Sequence, residues 1–140
     1  MNLTLDNMKK LILLIVLTFS LFTAFAQKKG LNYQAVILDP KTIEVPGVAV
    51  TGQPLMNGKV TIRFTIRSTS GVDYAETQNL TTDEFGLVNT TIGIGTVQGT
   101  VGSSSANGIK YASFDAIVWD ADLKSLIVAV SFDNGQKYTE

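Results

Sequence analysis

The 140-residue chain contains no cysteine and no histidine. Without thiols there is no disulfide, no thiolate metal site and no cysteine nucleophile. Without imidazole, Ser-His-Asp chemistry and the commonest transition-metal ligand are gone as well. Charged residues make up only 16 % of the chain and nearly cancel, leaving a net −1. No basic stretch offers a footprint for phosphate backbones, so nucleic acid is not an expected partner. The polybasic signature of membrane-surface binding is missing too. Proline is scarce, and Pro40, Pro46 and Pro54 all fall between Asp39 and Asn57. On composition alone, carboxylate-pair hydrolysis, Ser-Lys chemistry and calcium held by oxygen ligands stay open.

The most telling segment is the first. Lys9 and Lys10 precede an apolar run that starts at Leu11 and continues through Leu17, Phe19, Leu21 and Phe22 to Ala24-Phe25-Ala26. A basic start, an apolar middle and a small-residue exit describe a secretory signal peptide over residues 1–26, with Ala24 and Ala26 marking the cut before Gln27. The run approaches the roughly 20 apolar residues of a membrane anchor. Thr18, Ser20 and Thr23 dilute it, however, and the Ala-x-Ala exit favours cleavage. Met8-Lys9-Lys10 is the more natural beginning. The absence of a twin arginine points to the general export route, and the absence of a cysteine after the run excludes a lipid anchor. The expectation is an exported protein, periplasmic or on the cell surface. Residues 27–140 then form one domain held by its apolar core alone, with no transmembrane segment after processing.

Period-two patterning dominates the rest. Leu31, Tyr33, Ala35 and Ile37 share one face of a half-buried strand. Val60, Ile62, Phe64 and Ile66 alternate with Thr61, Arg63, Thr65 and Arg67 more clearly still. Ser68-Thr69-Ser70-Gly71 is a turn leading to a partner strand over Tyr74 to Leu80. Phe85 to Ile92 follows the acidic turn Thr82-Asp83-Glu84. Ser125 to Phe132 is the last strong strand, and Asp133-Asn134-Gly135 signals a hairpin with a return from Gln136. Asp39 to Asn57 reads as a long loop with a short edge strand at Val48-Ala49-Val50. Gly93 to Gly108, rich in glycine and serine, reads as mobile surface. No long stretch carries the helical period, and strands spaced by about 8–12 residues predict an all-β antiparallel sandwich or barrel.

The string Gly30-Leu31-Asn32-Tyr33-Gln34-Ala35-Val36 resembles the opening of a β-sandwich module found at the start of many exported Bacteroidota surface proteins. Pro54 to Ile66, then Tyr74 to Gln78, Phe85 to Asn89 and Ile92 to Gly95, resemble that module's later strands in the right order. Phe114, Ile117 and Trp119 match its next element. The resemblance implies an immunoglobulin-like or fibronectin-like fold and carries no catalytic motif. Two departures stand out: an insertion at Thr42 to Gly52, and no counterpart of the module's last strand after Tyr138-Thr139-Glu140. Either the sequence is a fragment of something longer, or the sandwich is missing an edge; an edge left open would expose a row of backbone N–H and C=O groups to a partner strand.

Several sharper readings fail on chemistry. Gly93-x-Gly95-x-x-x-Gly99 lacks the helix that a phosphate loop needs, so it is read as a turn. Asp120 and Asp122, with Asp115 nearby, offer carboxylates to calcium, but Lys124 stands where a ligand belongs. Asp83, Glu84 and Glu76 do not form the facing pair of a glycosidase. Ser103-Ser104-Ser105 near Lys110 sits in a glycine-rich setting with no rigidity to hold a nucleophile. Trp119 is expected in the core, whereas Tyr111 and Tyr138 are expected at the surface. Asn79 and Asn89 match a glycosylation pattern that carries no weight in a bacterial chain.

The sequence therefore predicts a non-catalytic, cofactor-free module that binds a partner through loops or an open sheet edge. A protein partner in a surface or secretion-related assembly is the first reading, and a carbohydrate-binding module is the alternative. The candidate contact residues are Tyr111, Tyr138, Ser125, Ile127, Ala129 and Ser131.

Overall fold

The computed structural model describes residues 7–10, 12–13, 30–41, 43–45, 48–50, 52–102 and 108–140. The export residues Ala24, Ala26 and Gln27 lie outside these, as do Ser103, Ser104 and Ser105. Residues 7–10 and 12–13 are helical, and no helix among the described residues is long and apolar enough to cross a membrane. From Leu31 onward the elements are almost all strands, the exception being a 3-10 turn at Phe114–Ala116.

The centre is a hairpin of β4 (Lys59–Ser68) and β5 (Gly71–Thr81), closed at the pair Ser68↔Gly71. The alternating β-branched run in β4 makes this strand, because such side chains pack well on a pleated surface. Val60, Ile62, Phe64 and Ile66 are all at most 3 % exposed, as the alternation predicts. Between Ile66 and Arg67 the register slips: Ile66 faces Tyr74, but Arg67 faces Val72. Asp73 is the extra residue of this bulge, and a bulge re-aims the side chain it carries.

Two further strands complete the sheet. β10 (Ser125–Ser131) pairs antiparallel along β4, and β7 (Thr96–Val97) pairs with β5, giving the order β10-β4-β5-β7. A second sheet joins β1 (Leu31–Val36) to β6 (Leu87–Ile92), also antiparallel. Side chains of the two sheets meet in one core, where Ile37, Val88 and Ile92 join Ile62, Phe64 and Tyr74. Tyr33 of β1 sits edge-on to Phe64, ring centres 5.0 Å apart, a geometry that aromatic quadrupoles favour.

Two small pairings adjust the expected loops. β2 (Ile43–Val45) pairs with β3 (Val48–Val50) inside the proline-bearing segment, so the anticipated short strand at Val48 has a partner. β8 (Thr100–Val101) runs parallel to β9 (Gly108–Ile109). The glycine-rich stretch is thus partly built into strands, while Thr96 to Gly102 lie exposed on the surface as expected. Trp119 is the clearer correction. It is 45 % exposed, with its ring centre 5.4 Å from that of Phe114. Phe114 of the 3-10 turn and Ile117 just after it are buried instead.

Candidate functional site

The most heavily buried polar cluster surrounds Glu76, which is 0 % exposed and points into the core from β5. Stripping a carboxylate of water costs several kcal/mol unless donors replace the lost hydration. Four donors do so. The Tyr74 hydroxyl donates to Oε2 at 2.7 Å and Gln78 Nε2 to Oε1 at 2.7 Å. The backbone N–H groups of Gly93 and Gly95 donate to Oε1 and Oε2, each at 3.0 Å. The spacing that superficially matches a phosphate loop thus cradles the protein's own carboxylate. Glycine is needed there: Gly93 takes φ +112°, and a Cβ on Gly95 would lie 2.7 Å from the Thr77 carbonyl oxygen. Burial, the hydrogen bond to Glu76 and its charge together push the Tyr74 phenol well above its ordinary range. Gln78 closes the cluster by donating to the Thr91 carbonyl at 2.9 Å and accepting from Thr90. Every lone-pair direction is answered from within, so this is a clamp on the Gly93–Gly95 turn.

The other carboxylates are likewise occupied or dispersed. Asp73 is buried and lies 2.7 Å from Lys124 Nζ, while Ser68 donates to its Oδ1 at 3.0 Å. The hydrogen-bonded contact with Asp73 raises the pKa of the Lys124 ammonium. Asp83 caps its own turn, accepting from Phe85 N and Leu87 N at 2.8 Å each. Asp133 accepts from Gln136 N and Lys137 N at 3.0 and 2.9 Å and from the Ser131 hydroxyl at 2.6 Å, which lowers its pKa. Asp115, Asp120 and Asp122 are exposed. Among the described residues no three carboxylates are placed to hold a metal ion.

The remaining feature lies on the other face of the four-stranded sheet, beside β10. After β10 the chain turns through Asn134 and Gly135, both with positive φ, and comes back. Val130 exchanges both backbone hydrogen bonds with Thr139, at 2.8 and 2.9 Å. Outward and inward groups alternate along an antiparallel strand. The N–H and C=O of Leu126 and Val128 therefore point the same way as those of Val130. Among the described residues nothing pairs with them. The opposite flank differs: Lys110 and Tyr111 donate to the Asp73 carbonyl, and Gln98 donates to that of Ala75.

Next to this edge is an open groove of about 680 Å³. Its floor is Arg63, Thr65 and Arg67 of β4 with Ala75 and Thr77 of β5. Gln98, Thr100 and Ile109 rise on one side and Ile127, Tyr138 and Glu140 on the other. The Arg63 guanidinium stacks on the Tyr138 ring, 4.3 Å from its centre.

The sequence-derived contact residues divide three ways. Ile127 and Tyr138 line the groove together, and Ser125 is exposed at the open end of β10. Ala129 and Ser131 are only 2 % and 0 % exposed, so their side chains are unavailable to a partner. The returning turn covers Ser131, whose hydroxyl accepts from Gly135 N at 2.8 Å. Tyr111 is half-buried against the core and away from the groove. Sequence reasoning missed Arg63 and Arg67, although their alternation with the apolar residues of β4 already placed both on the outward face. Comparison with known proteins returns no matching family model, no matching curated protein and no matching solved structure.

Proposed function

We propose that this chain is an exported, non-catalytic interaction module of a bacterial surface or secretion-related assembly, built as an immunoglobulin-like sandwich. It engages a protein partner through its loops or a sheet edge. The observation that carries this reading is the open groove on the outer face of the four-stranded sheet, lined by Arg63, Arg67, Ile127 and Tyr138, where among the described residues no carboxylate pairs with either arginine. The closed polar clamp at Glu76 and the shared core of the two sheets fit a rigid body that presents a groove. The signal-like start and the resemblance to exported surface modules support the compartment.

Sedimentation combined with amide hydrogen exchange tests this. The expected result is association with a component of surface extract from an exporting host, in which amides of the loops around the groove become protected. A stable monomer whose loop amides exchange freely even in that extract would overturn it.

The carbohydrate-binding alternative rests on Tyr111 and Tyr138. Each already has a cation over its ring, Lys110 at 5.3 Å and Arg63 at 4.3 Å. That weakens either as a sugar platform, and glycan-array binding lost on Tyr138→Ala would restore the idea.

A further inference from the structure

We infer that Lys124 and Asp73 join in an intramolecular amide bond, the Lys124 amine condensing with the Asp73 carboxyl group and releasing one water. The bond would tie β5 to the start of β10 across β4, in a chain that has no cysteine for a disulfide.

The two groups come from distant parts of the sequence and are brought together by the backbone. Asp73 is the extra residue of the β5 bulge, where a strand re-aims a side chain. Lys124 immediately precedes Ser125, which pairs with Arg67 beside that same bulge. The amides of Lys110 and Tyr111 both donate to the Asp73 carbonyl and hold its backbone in place. The Asp73 side chain is 1 % exposed and that of Lys124 8 %, with Nζ 2.7 Å from Oδ2.

Buried in this way, the charged pair is incompletely answered. An ammonium carries three N–H donors. Among the described residues Asp73 is the sole ion-pair partner of Lys124, and no hydrogen-bond partner meets Nζ from elsewhere. Attraction between two buried charges offsets their desolvation only when the remaining donors and lone pairs are also satisfied. An amide has no charge to desolvate and a single N–H to place. Its carbonyl oxygen already has a donor, because the Ser68 hydroxyl donates to Oδ1 at 3.0 Å.

The step balances without any further reactant. Asp73, with the charge of Asp122 beyond it, favours the ammonium form of Lys124, so the reaction begins from the ion pair. One proton passes from Nζ to Oδ2 along their contact, giving a neutral amine beside a carboxylic acid. The carboxyl carbon lies one bond beyond Oδ2. A small swing of the flexible lysine therefore brings Nζ into the near-attack range of about 3–3.5 Å. The Nζ lone pair forms the N–C bond, and the Ser68 hydroxyl meets the charge developing on Oδ1. Nζ then gives a second proton to Oδ2, the C–O bond breaks, and Oδ2 departs as water. Three hydrogens on the ammonium become one on the amide and two on the water. Fixing the two groups in place drives the step, since such juxtaposition supplies effective molarities on the order of 10⁵ M or more.

The test is peptide mapping of the full chain, purified at neutral pH without heating and digested with trypsin. Trypsin does not cut after an acylated lysine. The expected main product is residues 68–110 joined to residues 111–137, lighter than the two together by one water. Fragmentation should place the junction at Asp73 and Lys124. Recovery of residues 68–110 and 111–124 as separate peptides of full mass would overturn the inference and leave an ordinary ion pair. So would a water loss located at any other residue. Lys124→Arg keeps the charge but removes the nucleophile, and it should abolish the junction and slow migration in a denaturing gel. Ser68→Ala should slow linking severalfold when the reaction is followed after refolding. An unchanged rate in that variant would overturn the part given to the hydroxyl. The decisive map is made on the unsubstituted chain, so a variant that fails to fold does not weaken it.

Discussion

Tyr74 and Glu76 lie two residues apart on one face of β5, and inside the core the phenol donates to the carboxylate at 2.7 Å. The pair is one arm of a clamp whose other arms are Gln78 and the amides of Gly93 and Gly95. A buried charge with every lone pair answered is tolerable, whereas one with a missing partner is not.

Removing the carboxylate should therefore cost more than its volume suggests. Glu76→Ala is expected to lower unfolding free energy by about 3 kcal/mol or more, because four donors lose their acceptor in the interior. Glu76→Gln keeps the shape but turns an N–H₂ towards other donors, and about 2 kcal/mol is expected. Urea unfolding measures both, and a loss below about 0.5 kcal/mol in each case would remove the clamp from the account of stability.

Gly95 should tolerate nothing larger. An alanine methyl there meets the Thr77 carbonyl and the Gln78 side chain at 2.7 Å each, far inside contact distance. Gly95→Ala is expected to cost about 1–3 kcal/mol, the range for overpacked interiors. Gly102, whose Cβ would find open space but whose φ is +72°, serves as the control for backbone strain alone.

Alkali should act on Tyr74. Its pKa is raised in the folded protein, so the folded state keeps the proton that the unfolded chain loses near pH 10. The resulting stability is fully present below about pH 10 and falls as pH climbs beyond it. Phenolate absorbance should show Tyr74, and Tyr33 which burial also raises, keeping their protons above about pH 10 while the fold persists. Ionisation of Tyr74 near pH 10 in the folded protein would contradict this.

Acid should act at the other end of the chain. The Asp133 pKa is lowered by its bonds from Ser131 and from the Lys137 and Gln136 amides. Its contribution is present above the ordinary aspartate value, about 3.9, and is lost as pH falls through the depressed folded value. Exchange of the Lys137 amide should accelerate over that window. Asp133→Asn retains an acceptor oxygen, so it should flatten the pH dependence.

Much of this architecture was legible in residue order. β4 announced itself because Val60, Ile62, Phe64 and Ile66 alternate with polar residues, and burial of one face reproduces that alternation directly. The Asp133-Asn134-Gly135 turn was legible because asparagine and glycine accept positive φ. β5 was read correctly as a strand, but its buried face carries Tyr74, Glu76 and Gln78, polar residues that pattern reasoning assigns to solvent. Their partners come from Gly93 and Gly95, 17 and 19 residues away, and only folding brings them together. The bulge at Asp73 escaped notice for the same reason, since its carboxylate is matched by Lys124 on the approach to β10. Trp119 misled because size predicts burial on average, whereas Phe114 and Ile117 take the buried positions in this segment.

The amides of Gly93 and Gly95 sit in a surface turn, where exchange with solvent deuterium is ordinarily fast. Here each is anchored to an oxygen buried at the centre of the molecule, so neither can open unless the interior opens with it. These two positions should thus be slow reporters of global unfolding, set within a stretch whose glycine content advertises the opposite.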